Sequence, residues 1–501
     1  MLRKIKPVIT VVRPLLLLSL VFPSLAVSDT LPKSEPSPAL VHQTVQEQTI
    51  RQLPAPVLDI LKKNNVPGEN LSVYIRDLNA EKPMLSHNID ASRAPASTIK
   101  LVTTYAALKQ LGPNYSWKTE AWTRGEIKNG VLQGDLILKG HGDPFLVYER
   151  FWKFAHELRD QGLTAITGDI IIDSSYYNIP AHKRSAFDGQ GFRVYNAGAS
   201  PLMFNFQASR IRLAAPDNEE ATKADVAHFP PSKGLKVDNQ VRLVAGRCKR
   251  QHSRPKLSWK TDGSLLVKGT FSRDCPARFL MRLVSEPDQH VFDAFTQFWQ
   301  ELGGVFSGRL KVGKITDGDE LFYSYASPTL GDQIRLINKW SNNVMTRQLF
   351  LTTGVNYFEA PATEQKSRDA IKAIIEQQGV NTDGMIVDTG SGLSRKTRIT
   401  ARQMAQLLEL AYRDAFMPEF LSSLSVPGLD GTLASRFKNE DLKGRSHLKT
   451  GTLNNVTALS GYMLNRKGRR LVVVIQHNGR KASSSAGAKV QDEILRWAFE
   501  Q

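Results

Sequence analysis

The chain has 501 residues, of which 41% are apolar and 23% charged, an ordinary balance for a globular protein. That excludes a mainly disordered chain, a collagen and a polytopic membrane protein, and the length predicts two to four domains. Lys plus Arg is 66 against 48 for Asp plus Glu, a formal net charge of +18, which suggests an anionic partner such as nucleic acid, phospholipid or an acidic polymer.

Residues 1–26 read as a signal peptide. Arg3, Lys4, Lys6 and Arg13 form a basic start without acids, residues 15–22 are apolar, and Ser24-Leu25-Ala26 is a small-x-small cleavage site. The apolar stretch from Pro14 to Val27 is 14 residues, short of the roughly 20 that span a bilayer. An uncleaved anchor is the alternative. Residues 27–45 are rich in Pro and Ser and read as a flexible lead-in. A helix is expected over 53–63 and a strand over 71–78. A second helix starts near Ser97 and runs through Ile99, Val102, Tyr105 and Leu108 to a Gly112-Pro113 stop.

Residues 116–314 differ in pattern. Short alternating segments at 134–139, 168–173, 211–213, 241–244 and 265–267 are separated by turn residues. They predict a strand-rich insertion of two subdomains. Helical periodicity returns at 288–302, 331–352, 364–378 and 402–412. A hairpin over 458–475 and an amphipathic helix over 489–499 end the chain. The organisation expected is one discontinuous domain, 46–115 plus 315–501, interrupted by the insertion. Cys248 and Cys275 are the only cysteines. In an exported protein they are expected to pair; two free buried thiols are the alternative.

Three short motifs carry chemistry. Ser97-Thr98-Ile99-Lys100 is S-x-x-K, Ser341-Asn342-Asn343 is S-x-N, and Lys449-Thr450-Gly451-Thr452 is K-T-G-T. On a helix, residues three apart share a face, so the Lys100 amine can take the Ser97 hydroxyl proton. That requires a neutral amine, hence burial or neighbouring cations such as Lys449. An extended or tight-turn S-x-N aims a hydroxyl and an amide at one substrate. A K-T-G-T strand presents a cation and two hydroxyls, with Gly451 admitting a close backbone. His141 and His447 lack metal-ligand spacing and read as structural. Trp340 reads as packing. The basic run over 247–254 reads as a solvated face, with weak contact to anionic glycan or a membrane surface as the alternative.

The trio in this order is that of penicillin-binding proteins and class A β-lactamases. Together with Gly142-Asp143-Pro144, Tyr195-Asn196-Ala197-Gly198 and Gly390-Ser391-Gly392, it makes the chain resemble the low-molecular-mass class C penicillin-binding proteins, the D-alanyl-D-alanine carboxypeptidase/endopeptidase family. The resemblance implies a penicillin-recognising serine transferase fold, α/β (α+β), with inserted domains in the long interval between Ser97 and Ser341. It also implies roles. Ser97 is the nucleophile, Lys100 its base, Ser341 a proton relay and Asn343 a substrate amide contact. Lys449, Thr450 and Thr452 hold the terminal carboxylate, and the Ser97 and Thr452 N–H groups form the oxyanion hole. No metal or cofactor is implied. The implied partners are peptidoglycan stem peptides and, as covalent inhibitors, β-lactams, in the periplasm; an exported protein has little cause to meet nucleic acid. Thr389 departs from the Asp or Asn usual before Gly-Ser-Gly, and neither Ala197 nor Gly198 supplies the acid some relatives carry there. A β-lactamase of the same fold and a catalytically silent wall-binding scaffold are the competing readings.

Overall fold

The computed structural model describes residues 49–501 apart from Lys233. The signal-peptide and lead-in segments lie outside the described residues. No helix among the described residues is long and apolar enough to cross a membrane.

The strand Arg470–Asn478 reads Leu-Val-Val-Val-Ile, a continuous apolar run, because both of its faces are covered. It is central in a five-stranded antiparallel sheet ordered Ser446–Leu453, Val456–Leu464, Arg470–Asn478, Leu71–Asp77, Leu85–His87. Successive side chains alternate between two cores. Leu471, Val473 and Ile475, with Val73 and Ile75, meet Val57 and Leu61 of the helix Ala55–Asn64 and Ile494 and Leu495 of Ser485–Glu500. Val472, Val474, Tyr74 and Tyr462 face the other way, into a larger core. That core is built from the helices Lys100–Leu111, Leu330–Trp340, Asn343–Phe358, Glu364–Gln377 and Ala401–Arg413.

Two elements differ from the sequence expectation. The helical pattern over 331–352 is not one helix. Ser341 takes a left-handed φ of 56° and ends Leu330–Trp340, and Asn342 then caps Asn343–Phe358 by accepting from the N–H groups of Val344 and Met345. Periodicity misses such a break because Asn343–Phe358 is buried on nearly every side and so has no apolar face whose shift would reveal it. The expected strand-rich stretch also contains a helix, Tyr148–Asp160. Its buried Phe151, Phe154, Ala155 and Leu158 recur at helical spacing, a signal that was present in the sequence.

The residues between the two helical parts form their own packing units. Lys118–Lys128 pairs with Val131–Gly140 and with Glu320–Ala326. These strands belong to a seven-stranded sheet whose core includes Phe151, Phe154, Phe295, Phe298 and Trp299. The pairing carries this unit past residue 314, to Ala326. Two three-stranded sheets sandwich a smaller core of Ile211, Leu213, Val241, Leu265, Val267 and Phe271. The sulfurs of Cys248 and Cys275 are bonded beside it, with a sequence separation of 27.

A small core depends on its staple more than a large one does. Replacing both cysteines by Ser is expected to destabilise this unit by about 3–4 kcal/mol while leaving Ser97 reactivity unchanged, since neither cysteine touches the three motifs. Thermal melting monitored alongside activity checks this; identical melting curves would contradict it.

Candidate functional site

Ser97 does not sit within the α-helix. It lies in a 3₁₀ turn, Ala96–Ile99, that leads directly into Lys100–Leu111. Ala96, the residue before it, has a φ of 46°, a strained value for a residue with a Cβ. Two glycines hold it there. A Cβ on Gly392, whose φ is +79°, would fall 2.0 Å from the Ala96 carbonyl oxygen. A Cβ on Gly451 would fall 2.7 Å from the Pro95 oxygen and 2.8 Å from the Ser97 nitrogen. Gly451 therefore lets its own strand close on the Ser97 turn, rather than making room for a substrate backbone.

Lys100 is fully buried, and its Nζ stands 3.3 Å from Ser97 Oγ. The same Nζ donates to Asn343 Oδ1 at 2.6 Å and to the Ser391 carbonyl. Lys449, also fully buried, donates to Ser341 Oγ at 2.9 Å and to the Thr450 carbonyl at 2.8 Å. Ser97, Lys100, Ser341, Asn343 and Lys449 are thus brought together from one turn, one helix junction and one strand. Thr450 and Thr452 occupy the opposite side of that strand from Lys449 and Gly451, and the Thr450 hydroxyl donates to Thr432 Oγ1 at 2.8 Å.

No carboxylate among the described residues bonds to either lysine. Burial first, then the charges of Lys449 and Arg347, hold the Lys100 amine well below its ordinary value. Burial pushes Lys449 down to about 7. Arg347 is itself lowered to about 10 by burial, with Glu364 and Asp388 opposing. These effects favour the uncharged form of Lys100, beside a cationic Arg347 and a Lys449 that is itself about half charged near neutral pH.

Arg347 and the Ser391 carbonyl are site components that motif reading missed. Arg347 stands one helical turn after Asn343 and bonds the backbone of Tyr195 and Ala197. That spacing was its one sequence signal. Ser391 acts through its main chain, which leaves no signal in residue type. The Thr389 hydroxyl lies 3.0 Å from that of Ser391, within the same turn. The turn borders a cavity of about 370 Å³ whose walls include Arg347, Thr389, Leu393, Asn196 and Phe187. Ser97 is not one of its walls, so the cavity is a neighbour of the reactive centre.

An acid does stand close to Tyr195-Asn196. Asp188 accepts from the Tyr195 hydroxyl at 2.7 Å and from Asn196 Nδ2 at 2.8 Å. Trp340 is 64% exposed beside Ser341, so it does not serve as packing. His141 Nε2 lies 3.1 Å from a Glu120 oxygen. Among the described residues no group of three or more His, Cys, Asp and Glu could hold a metal ion.

The model of the D-Ala-D-Ala carboxypeptidase 3 (S13) family matches residues 53–501. The chain is 26% identical over 422 residues to a D-alanyl-D-alanine carboxypeptidase, DacB, of Haemophilus influenzae, covering 82% of this chain and 86% of that protein. It is 27% identical over 448 residues to a D-alanyl-D-alanine carboxypeptidase of an Actinomadura species, covering 87% and 82%. The crystal structure of penicillin binding protein 4 from H. influenzae aligns with a TM-score of 0.75 at 23% identity, covering 89% of this chain and 99% of that one. The two share a fold, the penicillin-recognising serine hydrolase fold.

The glycine contact gives a direct check. Gly451→Ala has to push the strand away from the Ser97 turn, and overpacking of this kind costs about 1–3 kcal/mol. A lower melting temperature together with slower reaction at Ser97 is expected. Unchanged values of both would mean that the strand does not press on the Ser97 turn.

Proposed function

The chain belongs to the D-Ala-D-Ala carboxypeptidase 3 (S13) family and is a serine-type DD-peptidase, and we propose that Ser97 is its nucleophile and Lys100 the base that activates it. One observation carries this reading: the buried Lys100 amine faces two acceptors that cannot donate, Asn343 Oδ1 and the Ser391 carbonyl, and then Ser97 Oγ. A neutral amine has two N–H bonds and one lone pair. The two N–H groups satisfy the two acceptors, and the lone pair is left for the Ser97 proton.

The reaction then follows in balance. The Ser97 proton passes to Lys100 as Oγ attacks the carbonyl carbon of the penultimate D-Ala. The oxyanion is received by the N–H groups of Ser97 and Thr452, each worth roughly 3–4 kcal/mol when lost. Collapse breaks the peptide bond, and the leaving D-Ala amine takes, by way of Ser341, the proton that Lys100 received from Ser97, which returns Lys100 to its neutral form; Lys449 holds the Ser341 hydroxyl. Asn343 keeps its Nδ2 for the substrate amide while its Oδ1 fixes Lys100. Thr450 and Thr452 receive the terminal carboxylate on their side of the strand, and Lys449, on its other side, adds its charge from beneath rather than a shared contact. Water releases the acyl group, returning Ser97 and the free acid.

The substrate we assign is the D-Ala-D-Ala terminus of peptidoglycan stem peptides, together with D-Ala cross-links. β-Lactams would acylate the same Ser97. Export to the periplasm after removal of residues 1–26 fits the basic and apolar segments there. The catalytic domain, expected over 46–115 plus 315–501, resumes in this reading only after Ala326, because Glu320–Ala326 pairs within the inserted sheet.

Ser97→Ala is expected to abolish labelling by a fluorescent penicillin and to lower D-Ala release from a soluble D-Ala-D-Ala peptide by about 10⁴-fold or more, with an unchanged circular dichroism spectrum. A penicilloyl adduct on the variant would show that the nucleophile lies elsewhere. Rapid turnover of the adduct on the wild type would instead mark a β-lactamase.

A further inference from the structure

The disulfide-bonded unit carries a second concavity, separate from the Ser97 machinery. A groove of about 1060 Å³ lies between the strand Arg278–Arg282 and the segment that includes Cys248, Arg250 and Pro255. Five of its wall residues are arginines: Arg193, Arg250, Arg254, Arg278 and Arg282. No Asp or Glu lines it, and among the described residues none of the five guanidiniums is in an ion pair. Arg282, half-buried, is crowded by Arg193 and Arg254. Five cations gathered in one groove repel one another, and the carboxylate near them, Asp188 beside Arg193, lies outside its walls, so the groove is complementary to an anion.

Three further features narrow the chemistry. Arg278–Arg282 is an edge strand, outermost in the order Arg278–Arg282, Ser209–Ala214, Asp225–Phe229. Its free edge can take an extended peptide alongside. Phe279 and Met281, 55% and 40% exposed on the same strand, offer apolar contact between the charges. The groove also approaches the cavity beside the Ser391 turn. Arg193 is one of its walls and Asn196 is a wall of the cavity beside the Ser391 turn, and the Asn196 N–H donates to the Arg193 carbonyl at 2.9 Å. One turn of chain thus has a residue in each.

We propose that this groove is a second holding site for the polymeric substrate, taking the carboxylate-bearing stem peptide of a neighbouring peptidoglycan strand while Ser97 works on another terminus. The inference rests on the reading that the enzyme acts on stem peptides. Guanidinium forks match carboxylates two bonds at a time, and stem peptides are short, extended and carry several carboxylates. The volume exceeds what a single small ligand fills, at roughly 300–1000 Å³, and suits a segment of polymer. A membrane surface fits less well, because the guanidiniums line a concavity that a flat plane of headgroups does not enter.

The test uses the mature wild-type chain and two variants, Arg250→Glu/Arg254→Glu and the milder Arg250→Gln/Arg254→Gln. Binding to insoluble sacculi and D-Ala release from them are measured against release from a soluble acylated tripeptide ending in D-Ala-D-Ala. The variants are expected to lose about tenfold in sacculus binding and release at low salt, with hydrolysis of the tripeptide unchanged. Wild-type binding should weaken similarly when the sacculus carboxyls are amidated. Unchanged sacculus binding by the variants, or undiminished binding to amidated sacculi, overturns the proposal. So does an equal loss on the tripeptide, which would place the effect in the reactive centre. Loss confined to vesicles containing anionic phospholipid would identify the groove as a membrane contact instead. A wild type inactive on both substrates would refute the functional reading itself, and sacculus binding would still report on the groove.

Discussion

A lysine amine enclosed by protein with no carboxylate to pair with is the constraint on which the rest of the site depends. An isolated ammonium in that position is far more costly than a neutral amine, so the group gives up its proton. The chain reinforces this by placing two more basic groups around it, Arg347 and a Lys449 that is charged only below about pH 7. The neutral form then needs two acceptors, and the fold supplies them from separate elements: the Asn343 side chain and the Ser391 main chain. What remains of the amine is one lone pair toward Ser97. In the proposed role, the amine can accept a proton because of where it is buried.

The fold combines that burial with a partly exposed Ser97. The sheet face that meets the helical core brings the strand Ser446–Leu453 against the 3₁₀ turn of Ser97, and Gly451 allows the approach. Gly392 does the same from the other side. Ser341 is placed by the left-handed end of one helix, and Asn343 by the capped start of the next. Strain at Ala96 and Ser341 is thus concentrated within the reacting cluster, where surrounding packing over-determines it.

Much of this was legible in the sequence, and for physical reasons. S-x-x-K is readable because a helical turn fixes which residues share a face. K-T-G-T is readable because a strand alternates. The parts that escaped lack such a rule. The Ser391 carbonyl belongs to the main chain, so residue type does not mark it. Arg347 approaches the site through tertiary packing of its helix against Tyr195 and Ala197. Asp188 is eight residues from Asn196 and reaches it only because the intervening chain folds back. The basic stretch near Cys248 looked like a solvated face because sequence shows charge without shape. Arg193, Arg278 and Arg282 come from other segments, and only the tertiary structure makes them walls of one groove.

The central claim is that Lys100 is held neutral by burial and by the charges beside it, and the pH dependence of Ser97 acylation reports on it most directly. The sign is fixed: nearby cations lower the Lys100 pKa, so removing one raises it and moves the onset of acylation to higher pH. In the wild type the acylation rate should already be well developed near pH 7, and in Lys449→Ala its rise should shift upward, with Lys449→Arg shifting less because it keeps the charge. An identical profile in wild type and Lys449→Ala would contradict the account, since the proton on Lys100 would then be indifferent to the cation placed next to it.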